Sequence, residues 1–230
     1  MRARLQFALV AVLSLAGAPA SAQPAAPDVP RVTFAVTPLL DGPCARLTGA
    51  APDTVATREL RGRFEEFLGL WAAQGPPLLR AAVEATGRPF AFGETIAAMH
   101  LCPGLASMSL PLLVSMRRYL RTPPAGELAD SLARFPAVVF HELLHRYVVD
   151  LIGSEPATPL WRKYAAEPAV VRWHLHLMAI EEVAFRRAGR ERELASVHTD
   201  YRRWPSYQRA REIVEAEGVE AFLAELRALR

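Results

Sequence analysis

Hydrophobic positions in this chain recur mostly at helical spacing, and strand-like alternation is confined to its first half. Val32 to Leu40 alternates and is rich in β-branched residues, which predicts a strand ending at Asp41-Gly42-Pro43. Leu60, Phe64, Phe67, Leu68 and Trp71 predict a helix over Thr54 to Ala73, with Asp53 or Thr54 as N-cap. Pro76-Pro77 opens a second helix through Ala85, and Gly87 stops it. Thr95 to Leu101 and Ser107 to Met116 read as two strands around the Cys102-Pro103-Gly104 turn; the second reads equally well as a helix start reaching Arg121. After the break at Thr122-Pro123-Pro124, Glu127 to Arg134 leads into an uninterrupted apolar stretch, Ala137 to Ile152, long enough for four helical turns. Pro136 sits in its first turn, where a missing N–H costs nothing, and Gly153 ends it.

Ser154 to Pro168 is a long connection with three prolines, the kind of segment that often carries function. Helices then follow from Pro168 to Arg186-Gly189, over Glu191 to Tyr201, and, past a Trp204-Pro205 break, over Tyr207 to Glu217 and Val219 to Leu229. The pattern predicts an α+β fold: one helix-dominated domain with a small sheet in its N-terminal half.

The apolar stretch contains His141-Glu142-Leu143-Leu144-His145. Residues four apart lie on one helix face, so two imidazoles aim at a single point, and zinc takes neutral imidazole nitrogens at about 2.0–2.1 Å. Glu142 lies about 100° of helix beyond His141, beside a metal rather than on it, where a carboxylate can take a proton from water. Val138, Leu144 and Val148 share the histidines' face, and Val139, Leu143 and Ile152 cover much of the remainder. A helix apolar nearly all round is buried, and two His and a Glu buried together need partners.

A zinc site with water in its fourth position needs a third protein ligand. The helix Ala169 to Arg187 offers His174, His176, Glu181 and Glu182. Glu181 shares a face with His174, Leu177, Met178 and Phe185, an apolar stripe that points inward, whereas Glu182 has Arg186 four residues on, an ion-pair spacing that suits a solvated face. A carboxylate on the buried stripe needs a cation, which selects Glu181 over Glu182, with His174 and His176 as further candidates. His174 reads either as a group that helps the site or as a core histidine satisfied by a backbone carbonyl.

The start of the chain reads as a secretory signal over residues 1–22: Arg2 and Arg4, an apolar run from Leu5 to Ala16, and Ala20-Ser21-Ala22 before Gln23. That implies a mature domain over 23–230, secreted or periplasmic, with no stable membrane span. Cys44 and Cys102 then read as a disulfide, with two buried free thiols as the alternative. The net charge is +3, and no Lys/Arg run interleaved with aromatics points to nucleic acid.

His141-Glu142-x-x-His145 followed on a later helix by a Glu ligand resembles the gluzincin group of zincin metallopeptidases. The resemblance covers roughly Pro136 to Phe185. It implies one Zn2+ held by His141, His145 and Glu181, Glu142 as general base, a peptide or protein substrate, and a small sheet packed on the active-site helix. Gluzincin-like sites draw a further donor from downstream of the Glu ligand, for which His198, Tyr201 and Tyr207 are candidates. The chain departs from the pattern at Arg146, where zincins carry an uncharged residue, and at Phe185, where some gluzincins place an Asp; Asp150 is a stand-in for the latter. The third His of metzincins is absent, because position 151 is Leu. The competing class is a non-catalytic zinc-binding secreted or periplasmic protein that keeps the fold.

Overall fold

The computed structural model of the chain describes residues 29–37, 40–49, 51, 53–121, 131–154 and 156–229. The signal segment expected over 1–22 lies outside them. No helix among the described residues is long and apolar enough to cross a membrane.

Four strands form one mixed sheet in the first half: β1 (Arg31–Val36), β2 (Glu94–His100), β3 (Met108–Ser109) and β4 (Leu112–Ser115). Their order is β1-β2-β4-β3. β1 pairs with β2, and β2 with β4, in parallel, while β3 runs antiparallel to β4 and forms the edge. Parallel neighbours require long crossovers. Between β1 and β2 the crossover is made of α1 (Asp41–Thr48), α2 (Thr54–Gly62) and α3 (Phe64–Thr86).

Here the structure departs from the sequence pattern in two ways. Asp41-Gly42-Pro43, expected as a turn, is the first turn of α1, where a proline gives up no intrahelical bond. The helix expected over Thr54 to Ala73 breaks at Arg63, and α3 then runs straight through Pro76 and Pro77. Two lost N–H donors are outweighed because Leu78, Leu79, Ala82 and Ala85 beyond them are all buried. The turn before the prolines packs so closely that a Cβ on Gly75 would lie 2.3 Å from the Trp71 ring. Ser107 to Met116, left open between strand and helix, is the β3–β4 hairpin.

The second half is helical: α4 (Phe135–Ile152), α5 (Pro159–Lys163), α6 (Ala169–Arg187), α7 (Glu191–Tyr201), α8 (Pro205–Glu217) and α9 (Val219–Ala228). α4 packs against α3, α6, β3 and β4, and α6 against α3, α4, α8 and α9. That setting explains why both helices are apolar on most of their circumference. Phe34, Phe67, Trp71, Tyr119 and Phe135 join sheet, α3 and α4 in one aromatic cluster, with ring centroids 5.1–6.4 Å apart. Tyr147 fixes α4 at its other end. Its ring stacks on Phe90 at 4.2 Å, and its hydroxyl lies 2.5 Å from both Thr86 Oγ1 and the Arg88 carbonyl.

Cys44 and Cys102 are bonded, tying α1 to the loop after β2 across 58 residues of sequence. Replacing both by serine is expected to cost roughly 2–5 kcal/mol of stability, by releasing a long loop in the unfolded chain. A urea titration followed by circular dichroism checks this as a lowered midpoint with native helical signal retained in water.

Candidate metal centre

Three imidazoles converge where α4 crosses α6. His141 and His145 project from one face of α4, and His174 meets them from α6. The ring centroids lie 4.9 Å (His141–His145), 5.4 Å (His141–His174) and 4.7 Å (His145–His174) apart. One nitrogen from each can be chosen so that all three lie within 4.8 Å of one another; among the described residues no other such group of His, Cys, Asp or Glu exists.

The hydrogen bonds show which nitrogens are free. His174 Nδ1 donates to the Val170 carbonyl one turn earlier, at 2.6 Å. His141 Nδ1 lies 2.9 Å from the Tyr201 hydroxyl and 3.3 Å from Glu181 Oε1. Tyr201 in turn donates to Glu181 Oε2 at 2.6 Å. Both imidazoles are thus committed at Nδ1, and Nε2 of each is buried with no hydrogen-bond partner. Orphaned buried nitrogens are costly unless something binds them. Three neutral imidazoles suit zinc or a similar divalent ion, so the donor set fits a metal.

Electrostatics keep two of the rings in the ligand form. Burial, followed by the nearby charge of His141, pushes His145 down to about 2 and His174 down to about 4. Burial also opposes charge on His141, but the hydrogen bond and charge of Glu181 outweigh it and raise that ring. A depressed histidine binds its proton first in the unfolded chain, so metal-free protein should lose stability as pH falls below about 6.5. The His174 contribution is spent by about pH 4, and that of His145 continues toward about 2. His141 acts in the opposite sense, stabilising at low pH and losing that as pH rises through its folded value. The expected net result is a melting temperature that drops between pH 6.5 and 4 in chelator, and drops less when zinc is present.

Glu142 is buried beside His141, and its carboxyl is raised chiefly by that burial, against the charge of His141 and a hydrogen bond from Ser109 on β3. A cleft of about 310 Å³ reaches the group at His141 and is lined by His141, Glu142, Glu181, Tyr201, Trp204 and Tyr207 among others. The Tyr207 ring lies near-parallel to His141 at 5.6 Å and tilted against His174 at 4.2 Å. Burial, then the charge of Glu142, pushes its phenol up to about 12, so it stays a donor at neutral pH.

The other residues singled out by the sequence fall into place around this group. Glu181 is buried, 1% exposed, against His141, and is not a member of the three-imidazole group. Glu182 pairs with Arg186 at 3.0 Å. His176 faces away and meets Glu225 on α9 at 2.5 Å. His198 touches the Tyr201 ring at 6.4 Å and does not line the cleft. Arg146, a departure from the zincin pattern, stacks its guanidinium 3.7 Å over Phe92, and Asp150 is its neighbour at 3.9 Å rather than a support for the imidazoles.

Asp200, in the Asp200-to-Trp204 cluster that the sequence places before Pro205 at the edge of a cleft, does line it; what the sequence does not show is its ion pairing with Arg134 at 2.7 Å and Arg118 at 3.6 Å, beside Arg203 at 3.3 Å. Burial opposes its charge, and the arginines, Arg134 foremost, hold it below the usual carboxylate range. Only Arg203 is near it in sequence; Arg118 and Arg134 reach it through the fold, so periodicity carries no sign of the cluster. No family model matches the chain, and no curated protein or solved structure matches it.

Proposed function

We propose that this chain is a zinc-dependent hydrolase of the metallopeptidase type, with His141, His145 and His174 as metal ligands and Glu142 as general base. The observation that carries the reading is the pair of buried, unpartnered Nε2 atoms on His141 and His174, gathered with His145, next to a cleft that His141 and the buried Glu142 line. His174 here takes the ligand place that the sequence pattern gave to Glu181. Zinc held there would supply Lewis acidity, lowering the pKa of a water to about 7 and polarising a carbonyl.

The remaining chemistry belongs to the chain. Glu142, with its carboxyl raised by burial, accepts a proton from the attacking water and returns it to the leaving amine. Tyr207 presents a protonated phenol in the same cleft as a donor to the oxygen on which charge develops. A peptide substrate is favoured by β3, an edge strand whose outer side has no strand partner among the described residues, and whose Ser109 hydrogen-bonds Glu142. An extended chain can pair with such an edge and lie across the carboxylate.

Digestion of a broad peptide library with and without a zinc chelator tests the activity. Chelator-sensitive cleavage is the expected outcome, and cleavage that persists in full removes the metal from the reaction. Tyr207→Phe is expected to lower kcat by about 100-fold or more with zinc content unchanged; an unaltered kcat would remove the donor role.

A further inference from the structure

Two groups beside His141 remain without a task in that scheme. Glu181 and Tyr201 are both buried, 1% and 6% exposed, and both contact the same imidazole nitrogen. They come from different helices, α6 and α7, and are joined by a 2.6 Å hydrogen bond from phenol to carboxylate. A Tyr–Glu pair this deeply buried is expensive to keep unless its hydrogen-bonding groups are satisfied. The further partner of both is His141 Nδ1.

We infer that Glu181 and Tyr201 form a positioning pair that holds His141 with its proton on Nδ1 and its Nε2 lone pair aimed at the metal, an inference that rests on the three-imidazole reading. The tyrosine O–H is committed to Glu181 Oε2, which leaves the phenol oxygen to accept from His141 Nδ1–H at 2.9 Å. Glu181 Oε1, at 3.3 Å, shares the same proton. The ring then has one tautomer and one orientation available. A negative partner on Nδ1 also makes Nε2 a stronger donor, and partners of this kind typically contribute about 10- to 100-fold in metal affinity. The arrangement explains why a carboxylate sits on the buried stripe of α6 without joining the imidazole group: its cation-like partner is the polarised N–H of His141. His174, two turns earlier on the same stripe, uses a backbone carbonyl for the same purpose.

The test measures zinc affinity by competition with a chromogenic chelator for the wild type, Glu181→Gln and Tyr201→Phe, with circular dichroism and melting temperature recorded for each. Both variants are close in shape to the native residue, and both are expected to bind zinc about 10- to 100-fold more weakly while folding normally. Zinc-edge X-ray absorption of the wild type should report three imidazoles. Nitrogen-15 NMR should place a hydrogen-bonded proton on His141 Nδ1, lost or shifted in both variants, a signature that a purely packing role would not give. A site of two imidazoles and a carboxylate would make Glu181 a ligand and overturn the inference. Equal zinc affinity in all three proteins would also overturn it while leaving the metal reading intact. A wild type that takes up no zinc would overturn both.

Discussion

Glu142→Gln is expected to reduce peptide hydrolysis by about 100- to 10,000-fold, the range over which general-base catalysis contributes, while zinc content stays near one per chain. The substitution keeps the size of the side chain and its capacity to accept from Ser109, so the buried pocket in α4 is preserved. What it removes is the ability to take a proton. The three imidazoles are untouched, which makes metal content the internal control. Kinetics on a responsive peptide, with zinc measured on the same sample, read both halves. If the variant hydrolyses at the native rate, the base lies elsewhere. If neither protein turns over any peptide while both hold zinc, the chain is a metal-binding protein that does not use its carboxylate for catalysis.

The second large effect is on the metal itself. His174→Ala is expected to lower zinc occupancy of the purified protein from about one to well below one, with His141→Ala and His145→Ala behaving alike. Catalytic zinc is held by three protein ligands with a fourth position open, and a site reduced to two falls short of that set. Glu181→Ala tests the sequence-based choice in the same assay. Partial retention of zinc fits a residue acting through His141, whereas loss as complete as that of the histidine variants fits a ligand. If zinc binds the folded chain at these imidazoles, wild-type protein should also melt at lower temperature in chelator, and His174→Ala should show little further change on chelation. A His174→Ala protein with full zinc occupancy and an unchanged chelator response would refute the three-imidazole assignment.

How much of this was legible beforehand differs from element to element. The helices α4, α6, α7, α8 and α9 stand close to where apolar spacing and Gly or Pro punctuation put them, because each is long and buries a continuous face. The region from Asp41 to Ala85 was harder. Helix-breaking residues there fall in the first turn of α1 or inside α3, where burial of the following residues overrides local preference. At the site, four-residue spacing was enough to pair His141 with His145, since it is a property of one helix. The relation of His174 and Glu181 to that pair is not. Both lie on one stripe, two turns apart, and which of them joins the imidazole group and which meets His141 Nδ1 depends on the height at which α6 crosses α4. Periodicity fixes a face and says nothing about height. Tyr201 was legible as a candidate near the site, but its contacts with His141 and Glu181, and the pairing of Asp200 with Arg118 and Arg134, join separate elements and were not, for the same reason.

The pinning of α6 to α9 gives that height a remote determinant. His176, two residues from His174, is held at 2.5 Å by Glu225, whose other oxygen accepts from the Leu160 amide at 2.8 Å. The distance between donors on α4 and the donor on α6 is an interhelical spacing, and such spacings respond as rigid bodies to what leans on their far side. The last helix, α9, therefore acts through α6 as ballast for the proposed metal site. Trimming or loosening it is expected to shift His174 against His141 and His145, and to show as weaker zinc binding by a chain that still folds around its aromatic cluster.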